Sequence, residues 1–310
     1  MFKTTLERTS TLRTSLSLIG VFLALEVSKQ LSNYGLMKTP KERRPLTPSL
    51  LVVLVEVFKM VVVVAWQVSR DSPKPWRPSL KFAIPAVCYL VNNSLYLNAL
   101  AVTSPPVWLV LIQTRTLFTA LAYKFVFGRE LRWKQGLGCV LVVSSIVLTK
   151  LASLKEGRDT ISSGLLVRSQ VSALLSSAAS LTIENLLKND GRSFVEQQVW
   201  LYLWGSLLGI TTIISTENLP DLVLHLKTVS WAWPVWALVG GAVTSSALTG
   251  LCIPQIVKRL DTVVKDYLVA LNSVLLASVT AFLFPSEFTF DWHYLSSLAV
   301  LLAGIFLYEK

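Results

Sequence analysis

The chain has 310 residues, of which 53% are hydrophobic and only 15% charged, with a mean hydropathy of +0.57; an ordinary soluble domain carries roughly one-quarter charged residues. That composition excludes a soluble globular protein and indicates a polytopic membrane protein. The formal net charge of +11 does not indicate nucleic-acid binding, because the basic residues lie in short segments between apolar runs, where charge bias orients a chain in a bilayer.

In chain order, the first dozen residues are polar and carry Lys3 and Arg8, with Arg13 just behind. The apolar run that follows has no small-residue cleavage signal at its end, so it is expected to be a retained first helix. Runs of about 20 mainly apolar residues, long enough to cross the hydrocarbon, predict helices at 13–33, 48–68, 79–100, 105–125, 133–151, 165–187, 195–216, 232–256, 263–285 and 291–308. The fold class expected is therefore an all-α membrane protein of about ten transmembrane helices. Only Val102-Thr103-Ser104 separates the third span from the fourth, and only a turn around Pro285 the last two, which leaves eight or nine as the alternative count. With the amino terminus in the cytosol, most of the loop lysines and arginines fall on the cytosolic side, which favours both termini there, although the basic first loop (Lys38, Lys41, Arg43, Arg44) argues the other way.

Two short matches lie five helices apart. Leu23-Ala24-Leu25-Glu26 with Lys29 is echoed by Leu181-Thr182-Ile183-Glu184 with Lys188, and Arg115 with Ala120-Leu121 by Lys265 with Ala270-Leu271. They imply two five-helix repeats, 1–151 and 165–310, joined by a polar stretch at 152–164. An odd number of helices per repeat inserts the copies in opposite orientations, the plan of many carriers, with a substrate site near the midplane.

Charges at membrane depth cost roughly 2.5 to 3.5 kcal/mol each and so face a partner or a watery cavity. Glu26 and Lys29, Glu56 and Lys59, and Glu184 and Lys188 each share a helical face; they serve either as self-neutralising ion pairs or as gating and coupling charges. Lys258 and Asp261 stand in the same class at the end of the eighth span. Arg115 has no acid within a helical turn. It either snorkels, pairs with Glu26, Glu56 or Glu184, or joins Lys265 in binding an anion, where a guanidinium fork and an ammonium both suit phosphate. Asn92 and Asn93, beside Tyr89, are either amide glue between helices or contacts to a nucleobase or sugar. Tyr202, Trp204, Gln197 and Gln198 offer a stacking face and amides. Gly205, Gly209, Gly240 and Gly241 suggest close helix packing. Cys88, Cys139 and Cys252 lie in apolar runs with no disulfide or metal spacing, and His225 and His293 have no metal-ligand spacing either. No catalytic set, metal site or cofactor is expected, and an enzyme is a weak rival.

The strings Val55-Glu56-Val57-Phe58-Lys59, Ile84-Pro85 with Tyr89 and Asn92-Asn93, Gln113-Thr114-Arg115, Glu184-Asn185-Leu186-Leu187-Lys188, Tyr202-Leu203-Trp204-Gly205 and Lys258 through Lys265 occur in an order and spacing that resemble the nucleotide-sugar transporters, in particular the branch with the CMP-sialic acid, UDP-galactose and UDP-N-acetylglucosamine carriers. The resemblance implies a drug/metabolite-transporter fold of ten helices. It also implies exchange of a cytosolic nucleotide sugar for a luminal nucleoside monophosphate by alternating access in the Golgi membrane, the endoplasmic reticulum being the alternative. By the same resemblance Arg115 and Lys265 contact phosphate, and Asn92, Asn93 and Tyr202 the nucleotide. The chain departs from the family in having Arg115 for a lysine, Trp108 for a tyrosine, Gln198 for an asparagine, Trp204 for a small residue and Asp266 for glycine; Trp204 is expected to narrow the pocket. The other functions compatible with these departures are a transporter-like scaffold that carries nothing and a carrier of another phosphorylated metabolite. The expected partners are the lipid bilayer, a nucleotide sugar and a nucleoside monophosphate, with no nucleic acid; a homo-oligomer, or a complex with glycosyltransferases or related transporters, fits the same reading.

Overall fold

The computed structural model describes the backbone of residues 2–40, 43–70, 77–125, 128, 130, 132–155, 161–229, 232–259, 262–289 and 291–309, and the side chains among them except those of 2–18, 70, 152–155, 254–259, 262–267, 269–270 and 309. Over those residues the chain is helical without strands. The helices are α1 (Phe2–Lys38), α2 (Pro48–Arg70), α3 (Ala83–Leu100), α4 (Pro105–Leu111), α5 (Arg115–Phe125), α6 (Trp133–Lys155), α7 (Ser163–Asn189), α8 (Phe194–Thr216), α9 (Leu219–Thr228), α10 (Trp233–Arg259), α11 (Thr262–Leu283) and α12 (Trp292–Glu309).

Local chemistry sets many of the ends. The Ser162 and Ser193 hydroxyls accept from the amides of Leu165 and Glu196, capping α7 and α8, and Thr47 does the same for α2 through the Leu50 amide at 3.3 Å. Prolines open α2 and α4, where their missing N–H costs nothing. Among the described residues four helices, over Pro48–Ser69, Trp133–Leu151, Phe194–Thr216 and Trp233–Ile253, are each long and apolar enough to cross a membrane.

The surface has the inverted polarity a bilayer demands. Val68, Ile84, Ile214 and Phe282 project outward from helices, while Gln30, Asn33, Glu56, Lys59 and Asn272 are buried. Trp133, Trp233 and Trp292, exposed by 73, 81 and 78%, stand at the first turns of α6, α10 and α12, the depth at which amphipathic rings settle between lipid and water.

The helices pair in matched sets. α6 packs along α12 and α2 along α8; α1 lies on α10 as α3 lies on α7; α3 meets α8 as α10 meets α2; and α5 touches α7 as α11 touches α1. Exchanging α1 with α7, α2 with α8, α3 with α10, α4–α5 with α11 and α6 with α12 maps each of these pairings onto another or onto itself. Glycine permits the closest approaches. A Cβ on Gly138 would stand 2.7 Å from the Gly304 carbonyl and 2.7 Å from the Tyr308 amide of α12, and one on Gly241 would stand 2.7 Å from Ser32 of α1.

Three expectations change. The span predicted as one rod at 105–125 is broken by a 3₁₀ turn at Ile112–Thr114, immediately before Arg115. There the Arg115 amide bonds the Ile112 carbonyl, and the Leu111 carbonyl is met instead by the Thr114 hydroxyl at 3.4 Å and the Gln170 amide at 3.5 Å. α9 fills a segment read as loop; Asn218 and Pro220 mark its start and it lies exposed, with no buried residue. Gly240, expected at a helix seam, faces open space within 4 Å.

Candidate functional site

Nine helices, α1 to α5, α7, α8, α10 and α11, surround a cavity of about 880 Å³. α6 and α12 lie at the periphery, reaching it among the described residues through Gln135 and Tyr308. Its lining extends to exposed Glu130 and Arg132 at the end where α5 finishes and α6 begins. The opposite end is shut by contacts absent from the lining. Lys38 Nζ binds Glu287 Oε2 at 2.7 Å, Tyr34 packs edge-on against Phe284 with centroids 5.0 Å apart, and Thr47 donates to Glu217 at 2.9 Å. Near them the Arg44 carbonyl meets His225 Nε2 at 2.7 Å; burial lowers the pKa of the Arg44 guanidinium in this loop.

Arg115, Asn92, Asn93, Tyr202, Gln198 and Trp108 all border the cavity, as do Glu26, Lys29, Glu56, Lys59 and Glu184. The charges within it are mostly self-compensated. Lys29 binds Glu26 at 2.6 Å and Lys59 binds Glu56 at 2.5 Å, while Lys188, outside the lining, reaches back to Glu184. Glu56 and Lys59 need room inside the bundle, and two glycines provide it. A Cβ on Gly205 of α8 would come within 3.1 Å of Glu56 Oε2, and one on Gly250 of α10 within 3.0 Å of the Lys59 chain.

Arg115 differs from these. None of Glu26, Glu56 and Glu184 pairs with it, and among the described residues no carboxylate stands within ion-pairing distance. A guanidinium at the break of a helix, in the wall of a partly enclosed cavity, is a preformed attraction for an anion, because the field there is less screened than in bulk water. Lys258 and Lys265 lie on α10 and α11, but their side chains, like Asp261 entirely, fall outside the described residues; the side chain of Asp266 does too.

The polar wall is partly committed. Ser172 of α7 donates to Asn92 Oδ1, whereas the Asn93 amide makes no hydrogen bond among the described residues. The Tyr202 hydroxyl donates to Gln198 Oε1 at 2.7 Å, and Lys59 Nζ sits 4.6 Å from the Tyr202 ring centroid, so that ring face is already occupied by a cation. Gln197 turns away from the cavity and donates to the Leu186 and Asp190 carbonyls at the end of α7. Trp108 is buried to 1% exposure and tilted against Tyr96, with only an edge on the cavity. Trp204 does not narrow the space as expected; its indole donates to the Ser79 carbonyl at 2.8 Å, outside the lining.

Sequence reading missed much of the lining. Gln30, Asn33, Tyr96, Thr119, Ser176, Ser180, Thr249 and Asn272 all contribute to it. Gln30 and Asn33 lie one and two turns beyond Glu26 on the same face of α1, a signal that a helical projection carries. The serines of α7 also form a period, Ser169-Ser172-Ser176-Ser180, that marks a polar stripe. No group of three or more His, Cys, Asp or Glu able to hold a metal occurs among the described residues. His293 is taken up locally by Asp291, 2.6 Å away, and hydrogen bonds from His293 hold that carboxyl below its usual pKa.

A model of a family described as "Nucleotide-sugar transporter" matches residues 33–309. The chain is 27% identical to the human "Probable UDP-sugar transporter protein SLC35A4" over 285 residues, covering 85% of this chain and 84% of that protein. It is 26% identical to "CMP-sialic acid transporter 2" of Oryza sativa subsp. indica, over 66% of this chain and 56% of that one. A solved structure described only as "Crystal structure of protein" superposes with a TM-score of 0.62 at 15% identity, covering 97% of both chains, which is a likeness of fold.

Proposed function

The chain belongs to the nucleotide-sugar transporter family, and from that membership we propose that it exchanges a cytosolic nucleotide sugar for a luminal nucleoside monophosphate by alternating access in the Golgi membrane. Ten spans are assigned as two inverted repeats, 1–151 and 165–310, with 152–164 as the connection; α4 and α5 together form one span and α9 lies outside the count. The matched helix pairings support this assignment. Ten spans put both termini on one side, which the loop charge bias assigns to the cytosol, and the cavity ends on that side at Glu130 and Arg132.

The observation that carries the reading is Arg115. A cation with no carboxylate partner among the described residues is costly at membrane depth, and its position on a cavity large enough for a nucleotide gives it a use. Its planar fork takes the substrate phosphates, and Lys265 is assigned the matching role from α11. Asn93, with its amide uncommitted, and Asn92 are assigned to the base, and Gln198 and Tyr202 to the wall opposite. The Glu26–Lys29, Glu56–Lys59 and Glu184–Lys188 pairs act as charges that hold or exchange partners as the halves rock. The name of the human relative, a probable UDP-sugar transporter, favours a UDP-sugar.

Purified protein in liposomes preloaded with UMP, CMP, GMP or AMP tests the proposal through uptake of labelled nucleotide sugars. The expected result is stimulation by one internal monophosphate and loss of about tenfold or more in Arg115→Ala, the scale of one charge-assisted hydrogen-bond pair. Absence of exchange with every nucleotide by folded protein overturns it.

A further inference from the structure

The short helix α9 joins two spans. α8 and α10, on either side of it in the chain, are each long and apolar enough to cross a membrane. α9 starts at Leu219, two residues after α8 ends, and α10 starts at Trp233, four residues after α9 ends. Connections this short hold α9 at the end of the bundle, beside the membrane surface. At about 100° per residue, its side chains fall into three arcs about a third of a turn apart. Leu222, His225 and Leu226 make the first, which is half-buried against the protein: His225 Nε2 meets the Arg44 carbonyl at 2.7 Å, and Leu226 packs against the cluster that holds Tyr34, Leu36, Met37 and Leu46. Leu219, Val223 and Leu224 make the second arc, 42, 48 and 60% exposed. Asp221 and Thr228 make the third, exposed and polar.

Three arcs of protein, apolar and polar contact suit a helix lying where hydrocarbon meets water. Full immersion in lipid would strand Asp221 in a medium that penalises charge, and full immersion in water would leave three aliphatic side chains side by side without cover. The surface before and after α9 says which covering is at hand. Leu207, Ile210 and Ile214 are exposed along α8 up to its end, and Trp233 and Trp236 are exposed at the start of α10; these are the faces that lipid covers on the two spans, and tryptophan settles at the boundary between lipid and water. Lys227 lies between Val223 and Leu224 on the helical projection and is exposed. A lysine there lays its stem along apolar surface and carries its ammonium out to the headgroups.

We infer that α9 is a lipid-binding surface: it lies in the plane of the membrane interface with Leu219, Val223 and Leu224 seated among phospholipids, about 5–10 Å into the boundary between headgroups and acyl chains. Its inner arc ties that seat to the closed end of the cavity, through His225 to the Arg44 carbonyl and through Leu226 to the cluster around Tyr34. The inference goes beyond the transport reading and holds whichever substrate is carried.

The test is fluorescence quenching on the full-length protein in phosphatidylcholine vesicles. A thiol-reactive fluorophore is placed at Leu224→Cys on the apolar arc and at Asp221→Cys on the polar arc, and the signal of the unaltered protein, labelled alike at Cys88, Cys139 and Cys252, is subtracted. A phosphatidylcholine with its nitroxide near the headgroup is expected to quench the label at position 224 severalfold more than the label at 221, and aqueous iodide to do the reverse. Val223→Cys repeats the measurement on the same arc and is expected to match Leu224→Cys, which keeps the test independent of any one variant. Equal quenching of both arcs by iodide, with none from the lipid, would put α9 in water. Protection of positions 223 and 224 from both quenchers would put protein there, a second copy of this chain or another partner. Stronger quenching at 224 by a nitroxide deep in the acyl chains than by one near the headgroup would put the helix inside the hydrocarbon. Each of these three results overturns the inference.

Discussion

Lys59 and Glu56 form the most enclosed ion pair in the cavity, with side chains 11 and 8% exposed, and Lys59 also covers the Tyr202 ring. Taking two charges out of water is repaid only while both are present. Lys59→Met therefore leaves a carboxylate uncompensated and is expected to destabilise the protein by about 3 kcal/mol, the low end for a broken buried pair because this one borders a cavity. Replacing both partners, Glu56→Gln with Lys59→Met, is expected to recover most of that loss. Thermal unfolding in detergent reads the difference, and a double variant no more stable than the single one would show that the pair acts by another route. The spacing of three between Glu56 and Lys59 made their pairing legible from sequence. The isolation of Arg115 was not, because which acids fail to reach a guanidinium depends on the rotation of helices that share no sequence neighbourhood.

At the level of the helices, α6 and α12 show how a fold of this kind is sealed at its edge. The backbone of α6 at Gly138 touches the backbone of α12 at Gly304 and Tyr308, a contact that works in lipid because close approach supplies the dispersion and weak polar attraction that water would otherwise drive. Gly138→Ala is expected to cost about 1–3 kcal/mol by forcing the two backbones apart. Gly136→Ala, on the same helix with nothing within 4 Å, is expected to be neutral or to gain up to about 1 kcal/mol through helix propensity. A comparison of melting temperatures checks both, and equal effects would mean that the seam is not what holds α12 in place. The long apolar runs announced the helices themselves, since hydrophobicity over about 20 residues is a local property. The 3₁₀ turn before Arg115 had no such local mark; it is stabilised by Gln170 from α7, a partner 59 residues away from Leu111. α9 was missed for the opposite reason, being too short and too polar for a search tuned to spans, although Asn218 and Pro220 give an ordinary helix start.

Over the whole molecule, the cavity ends at one face and is sealed at the other by Lys38 with Glu287 and Tyr34 with Phe284, contacts that join the end of α1 to the segment around the end of α11. The site is thus enclosed from one side, with Arg115 on its wall uncompensated among the described residues. That has a consequence for leakage. If the protein works by the proposed alternating access, turning it inside out empty means carrying a bare guanidinium through an occluded state with little water around it, whereas the loaded protein would carry a neutralised pair. On the proposed exchange, the barrier to the empty return is then electrostatic and favours a cycle that runs loaded in both directions. Arg115→Gln should bind substrate more weakly yet lose its dependence on internal monophosphate, so that uptake into empty liposomes rises relative to uptake into loaded ones. A ratio unchanged from that of the unaltered protein would mean that the two strokes are locked together mechanically, by the closing contacts alone, and that the charge serves only to hold the cargo.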